Sequence, residues 1–415
     1  MDQSAESSEE GPKQVAAKQV AVTGPWPRFH DLYRAYKAAR IGKPASSHQI
    51  RFQSHEAMEL VSLHRDIHSG RYQPSRSICF VVTHPKPREI WASHFRDRIV
   101  HHLIVSQLEP TWERRFSAHS FACRKRMGSH KAVGELCSLI RKVSRGGRRK
   151  AWVLQVDVAS FFVSISREKI LDLLLPACAA NSTLRNLVDV TFRHDPRLNV
   201  WHQAPDGLRA LIPFEKSWFN RGPMEGLPIG NLTSQFAANV YLTGVDHFIE
   251  RSLRPQAYLR YMDDMTLVDS DPEKLRAMIQ PIDDWLRARR SQNLNHTKTT
   301  LKDSSSQSID YLGYRLKPDK LNPSKVVYVS VDPKKKWDFV QELRQLEKNG
   351  LPYGVKLHPL WPHYSHTAAR EAWSAVRSRE GHLSHARVHD FVNTSLTKTE
   401  DALSARWVDI SGLEF

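Results

Sequence analysis

The sequence predicts an α+β fold, because three kinds of pattern follow one another along it. Helical spacing dominates the N-terminal part, a strand, a long helix and a β-hairpin occupy the middle, and Lys-rich helical segments interrupted by prolines close the chain. At 415 residues the chain divides into two or three subdomains, since single cores stop growing near that size.

Residues 1–28 are polar and small, end near Gly24-Pro25-Trp26-Pro27, and read as a flexible tail. From Phe29 to Arg40 the residues Leu32, Tyr33, Tyr36 and Ala39 recur at helical spacing. Ala57, Leu60, Val61, His64 and Ile67 do so again before Gly70, so two helices open the ordered part. Ile78 to Thr83 is a β-branched run followed by the basic Pro85-Lys86-Pro87-Arg88, a strand entering a turn or hairpin. Ile99, Leu103, Ile104 and Leu108 then give a helix one apolar face, with Arg96 and Arg98 at its start. Between Trp152 and Val158 the pattern alternates, placing Asp157 with Val153 and Gln155 away from the face of Leu154 and Val156. Leu232 to Ile249 is helical through Phe236, Val240, Val245 and Phe248, and Tyr258 to Val268 reads as two strands around Asp263-Asp264. These patterns divide the chain into 1–28, 29–150, 151–330 and a basic helical module over 331–415.

Lys and Arg number 61 against 44 Asp and Glu, a net charge of +17 that favours a polyanionic partner, nucleic acid first. The four cysteines are scattered, with no zinc-like pair and no disulfide framework, which fits a reducing cytoplasm. No apolar run is long enough to span a bilayer, so no membrane partner is expected.

Carboxylates on a stiff sheet can hold two divalent cations, one activating a hydroxyl and one clamping a triphosphate. Asp157 with Asp263-Asp264 offers such a set. Asp-Asp in a turn also serves turn chemistry alone, so the surrounding motifs carry the reading. Those motifs are Asp157-Val158-Ala159-Ser160-Phe161-Phe162, Gly226-Leu227-Pro228-Ile229-Gly230-Asn231-Leu232-Thr233-Ser234-Gln235 and Tyr261-Met262-Asp263-Asp264. In this order they resemble the palm of reverse transcriptases. Lys86-Pro87-Arg88, Phe95-Arg96-Asp97-Arg98 and Ser120-Phe121-Ala122-Cys123-Arg124-Lys125 resemble the fingers. Thr297-Lys298-Thr299 and Tyr311-Leu312-Gly313-Tyr314 resemble the motif after the catalytic hairpin and the primer grip.

The resemblance implies a right-hand polymerase of fingers over 29–150, a palm with an antiparallel sheet over 151–330 and a helical thumb beyond. It implies that Asp157, Asp263 and Asp264 hold two Mg²⁺ ions, with Mn²⁺ able to substitute, and that Lys298 protonates departing pyrophosphate; a surface lysine is the plainer reading. Phe162 matches a gate that collides with a ribose 2′-hydroxyl, a core aromatic being the alternative. Lys86, Arg88 and Gln235 fall at the dNTP. Arg96, Arg98, Arg124, Lys125, Asn231, Tyr311 and Gly313 fall along nucleic acid, although Arg96 and Arg98 could pair internally with Asp97, and Asn231 could simply cap its helix. Gly230 would permit close backbone approach.

Two departures narrow the resemblance. Ser234-Gln235 stands where retroviral and group II intron enzymes have Ser-Pro, and resembles diversity-generating retroelement and related bacterial enzymes. Arg126 stands where many relatives have glycine. The expected partners are a structured noncoding RNA template, dNTPs and a DNA product. The setting is phage defence, favoured by the extra terminal segments, with retroelement mutagenesis or noncatalytic RNA binding as alternatives. His382 and His385 among the C-terminal histidines suit RNA contact better than metal.

Overall fold

The computed structural model describes residues 25–41, 46–83, 86–319, 326–331 and 341. The 331–415 module, with its histidines and Trp361 and Trp373, lies almost wholly outside the described residues, as does most of the N-terminal tail.

Three helices open the fold: α1 (Phe29–Arg40), α2 (Ser47–Ser54) and α3 (Glu56–His68). Two are legible as periodic runs; α2 is an addition, short and polar, burying only Gln49 and Phe52. Ser46 starts it by accepting a hydrogen bond from the Gln49 amide. Strands β1 (Ser77–Val82) and β2 (Arg88–Ala92) form the expected antiparallel hairpin, and α4 (Phe95–Glu113) follows. This helix buries more than the single face foreseen, Val100 and Val105 included, because it lies between α1 and the central palm helix.

After α5 (Ser129–Val143), strand β3 (Trp152–Val156) enters the palm. The short turn α6 (Phe161–Ser164), then α7 (Arg167–Leu174) and α8 (Ser182–Arg193), lead to β4 (Val200–His202) and α9 (Asp206–Arg209). Helix α10 (Leu232–Phe248) is buried on nearly every side, as a helix at the centre of a domain is, and its polar Asn239, Thr243 and Asp246 are buried with it. Strands β5 (Ala257–Tyr261) and β6 (Asp264–Asp269), helix α11 (Pro272–Arg290) and strands β7 (Thr300–Asp303), β8 (Ile309–Tyr311), β9 (Tyr314–Pro318) and β10 (Val327–Val331) complete the order.

The palm sheet runs β5-β6-β3-β7, antiparallel throughout. Its strands are covered on both faces. Leu154 and Val156 enter the main core with α4 and α10, whereas Val153 enters a second core with α5 and the β10-β9-β8 sheet. The main core runs from Leu32 to Leu294, so the fingers helices and the palm share one interior. A third sheet, β2-β1-β4, adds β4 parallel to β1 and was not foreseen in the sequence.

The loop before α10 is fixed by aromatic packing. Gly226 has φ +83, and a Cβ there would overlap the Trp218 indole, whose Nε1 donates to the Glu225 carbonyl. Glycine is needed there for both backbone and space.

Candidate active site

The site is built where β3 ends and the β5–β6 hairpin turns. Beyond Val156 the chain runs beside residues 293–295: the Asn295 amide donates to the Asp157 carbonyl at 2.7 Å, and Ala159 donates to the Asn293 carbonyl at 2.9 Å. That pairing carries the following turn, His296–Lys298, up to the strand end, where the Lys298 ammonium pairs with the Asp157 carboxylate. Across the sheet, Val156 faces Met265, and Tyr261 faces Asp264 over a two-residue turn of Met262 and Asp263. Met262 holds φ +56, a left-handed conformation uncommon without glycine and often found at functional sites. The three carboxylates and Lys298, read from separate motifs, are thus brought together.

The electrostatics bear the mark of gathered negative charge. Burial, then repulsion from Asp264 and Asp157, holds the Asp263 carboxyl well above the ordinary carboxylate range. Burial and the charge of Asp157 push Asp264 up to about 6, with Lys298 opposing. Burial works against the Lys298 ammonium, but its hydrogen bond and ion pair with Asp157 outweigh this and raise its pKa. Among the described residues no group of three or more His, Cys, Asp or Glu side chains is arranged to hold a metal ion by itself. The donor set nevertheless suits Mg²⁺, which takes few carboxylates and completes its shell with water and substrate phosphates.

A buried network beneath the turn escaped the sequence reading. Arg260 and Asp246 are both 0% exposed and form a two-pronged ion pair, Nε to Oδ1 and Nη2 to Oδ2, each at 2.7 Å. Tyr258 donates to the same carboxylate at 2.7 Å. The Arg260 Nη1 donates to the Met262 carbonyl at 2.8 Å and to Asn239 Oδ1 at 3.1 Å, while Asn239 Nδ2 donates to the Ala122 carbonyl at 2.6 Å. One guanidinium therefore ties the strained turn to α10 and, through Asn239, to the Ser120-Phe121-Ala122 segment. The available signal was a charge in the otherwise apolar strand Ala257–Tyr261, with its acidic partner on the buried helix α10.

The remaining candidates divide into those near open surface and those taken up internally. Phe162 is half-buried at the edge of the main core; its carbonyl accepts from the Leu227 amide at 2.8 Å, which sets it beside the loop leading to α10. Gln235 is half-buried in the first turn of α10. Asn231 is buried at the N-cap, but its side chain makes no capping bond. Gly230, at φ +115, faces the fingers strand: a Cβ would lie 3.1 Å from Ile90. Lys86 and Arg88 are exposed at the β1–β2 turn.

Arg96 pairs with Asp66 at 2.5 Å, not with its neighbour Asp97, which is held by Tyr72 and Ser75. Arg98 donates to the Ala39 carbonyl at 2.9 Å. Arg124 is nearly buried, pairing with Glu113 at 2.6 Å and donating to the Ser117 and Ser120 carbonyls; exposed Lys125 pairs with Glu109 at 2.5 Å. Arg126 occupies its glycine-like position at φ +60. Tyr311 is buried in the second core, where burial and then Asp264 raise its hydroxyl's pKa. Leu312 and Gly313, both at positive φ, make the tight β8–β9 turn.

An antiparallel palm sheet with carboxylates at the end of β3 and at the turn between β5 and β6, fronted by a basic hairpin, defines a template-directed polymerase architecture. Residues 84–316, more than half of the chain, match the family described as reverse transcriptase (RNA-dependent DNA polymerase). The chain belongs to that family, and its enzyme class is RNA-directed DNA polymerase. It is 24% identical over 318 residues to protein YkfC of Escherichia coli K12, covering 68% of this chain and 78% of that one. It is 27% identical over 199 residues to the putative COX1/OXI3 intron 1 protein of Saccharomyces cerevisiae, covering 46% of this chain but only 20% of the relative. Among solved structures, apo telomerase from Candida tropicalis truncated from its C-terminal domain aligns with TM-score 0.42 and 10% identity, over 67% of this chain and 60% of that one. Among the described residues no helix is long and apolar enough to cross a membrane.

Proposed function

We propose that this enzyme copies a dedicated structured noncoding RNA into DNA, with Asp157, Asp263 and Asp264 as its metal-holding carboxylates. The observation that carries the assignment is the convergence of the three with Lys298 at one end of the palm sheet. Two Mg²⁺ ions bound there would activate the primer hydroxyl and neutralise the triphosphate. Mn²⁺ would serve in their place. Lys298, charged and next to Asp157, is placed to give a proton to the leaving pyrophosphate. Lys86 and Arg88, exposed on the fingers turn, clamp the triphosphate, and Gln235 lines the nucleotide position. Asn231, Arg96, Arg98, Arg124, Lys125, Tyr311 and Gly313 shape the nucleic-acid path, several of them by bracing the backbone.

The Ser234-Gln235 ending supports a bacterial setting beside diversity-generating retroelement enzymes, and within it we favour antiviral defence in the cytoplasm. The test is sequencing of nucleic acid copurified from cells expressing the gene with its native flanking DNA, with and without Asp263→Ala and Asp264→Ala. DNA complementary to one flanking RNA, made only with intact carboxylates, is expected. Equal products from both forms would overturn the reading.

Phe162 supplies a separate expectation. If its ring stands under the sugar, Phe162→Val should raise incorporation of ribonucleotides relative to deoxynucleotides by on the order of a hundredfold, since removing a clash restores a few kcal/mol. Competing single-nucleotide extensions measure the ratio; an unchanged ratio would return Phe162 to the core.

A further inference from the structure

The fingers sheet presents more aromatic surface to solvent than its own packing uses. Leu198, Trp201, Leu211, Phe214 and Phe219 all stand exposed in the stretch between α8 and α10. Of these, Trp201 lies on the fingers sheet itself, whereas Phe219 packs on Trp91 and His202 at the other face of that sheet.

The register of β2-β1-β4 sorts the side chains by face. Ile78 lies opposite Ala92 and beside Trp201, Phe80 opposite Ile90, and Val82 opposite Arg88. Paired residues point to the same side of a sheet, and alternate residues along a strand return to it. Trp201, Ile78, Phe80, Ile90 and Arg88 therefore share one face. The opposite face, with Cys79 and Trp91, is closed by Trp218 and Val163. On the first face Ile78, Phe80 and Ile90 are only half-buried, and Trp201 is 49% exposed.

Position and charge identify the occupant. Ile90 meets Gly230 in the loop that opens α10 and leads to Gln235, and Arg88 lies on the same face. This face therefore continues from the proposed nucleotide position. Across it Trp201 lies roughly 16 Å from Arg88, two strand spacings over and four residues along. The three strands carry a single acid, Glu89, which points to the other side and accepts hydrogen bonds from Ser217 Oγ at 2.5 Å and the Trp218 amide at 2.9 Å. The face thus offers apolar and aromatic surface with a cation at its end and no carboxylate. Strand β4 is fixed in place: Arg76 donates to the Val200 carbonyl at 3.0 Å and the Gln203 amide to the Cys79 carbonyl at 2.9 Å.

We propose that Trp201 is a stacking plate for the single-stranded template RNA that has yet to be copied, with the shared face of β1, β2 and β4 as its track. Every base offers a π-face to an indole, so the contact holds RNA of any sequence, and a face without carboxylates suits a polyanion. The inference rests on the polymerase reading and names the part of the template that is held.

Primer extension by the full chain tests it, comparing RNA templates whose single-stranded overhang is one nucleotide or about ten. Trp201→Ala should raise KM for the long-overhang template about tenfold, the loss expected of one stacked base. KM for the one-nucleotide template, and KM for dNTP, should stay within twofold. Trp201→Phe should recover most of the loss, because a ring remains. An equal rise on both templates, no rise on either, or failure of phenylalanine to rescue overturns the proposal. So does unchanged RNA affinity with altered self-association of Trp201→Ala, which would make the face a protein contact. If the unsubstituted chain extends no primer on either template, the polymerase reading is what fails.

Discussion

Asp157→Asn is expected to lower kcat for primer extension by roughly a thousandfold or more, because metal-assisted charge stabilisation supplies several kcal/mol of the barrier reduction. The amide keeps the size of the side chain but loses the charge that a divalent cation requires. Asp157 follows β3 directly, and its backbone carbonyl is fixed by the Asn295 amide, so the substitution should leave the strand end in place. Binding of primer and template, governed mainly by contacts to phosphates, should change by less than a factor of about three. The Lys298 ammonium would lose its partner, and its pKa, now raised by Asp157, should fall. Steady-state extension with Mg²⁺ alongside equilibrium binding separates the two terms. A kcat loss below tenfold would remove Asp157 from the metal site, and a matching loss of template affinity would make it a structural residue.

The parts of this architecture that could be read from the sequence share a physical reason. Strand β3 and the β5–β6 hairpin are written as short, nearly continuous apolar runs because both faces of the palm sheet pack, and Asp157 stands out as the charge that ends the first run. Helix α10 is legible because Phe236, Val240, Val245 and Phe248 recur at helical spacing. Helix α2 is not, because eight residues burying Gln49 and Phe52 leave no periodic stripe. Strand β4 is three residues long and exists by pairing with β1, a partner more than a hundred positions earlier in the chain. Basic side chains were the least legible. Arg96, Arg124 and Lys125 resemble nucleic-acid contacts in sequence, yet each meets an acid brought near by a helix: Asp66 on α3, and Glu113 and Glu109 on α4. Pairings of that kind depend on how helices sit against one another, which local spacing does not encode. Arg260 shows the converse, a charge beside the Tyr261-Met262-Asp263-Asp264 motif whose importance lies in what it braces.

Arg260→Met is therefore expected to destabilise the protein by about 3–5 kcal/mol, the usual cost of breaking a buried ion pair by removing one partner. Methionine fills much of the volume but leaves the Asp246 carboxylate buried with only the Tyr258 hydroxyl donating to it. The Met262 backbone carbonyl and the Asn239 side-chain Oδ1 would also lose their guanidinium donor. The double variant Arg260→Met with Asp246→Leu should regain a large part of the stability, since a buried ion pair replaced by apolar side chains is often neutral. Urea unfolding midpoints of the two variants measure this recovery. Activity should behave differently. The Met262-Asp263 turn, at φ +56, is tied to α10 through Arg260, and neither variant restores that tie. At a temperature where the double variant is fully folded, kcat should remain depressed by on the order of tenfold or more while KM for template changes little, because a misplaced carboxylate costs rate before it costs binding. Recovery of kcat together with stability would show that the network only fills the core; recovery of stability alone identifies Arg260 as the residue that positions the turn.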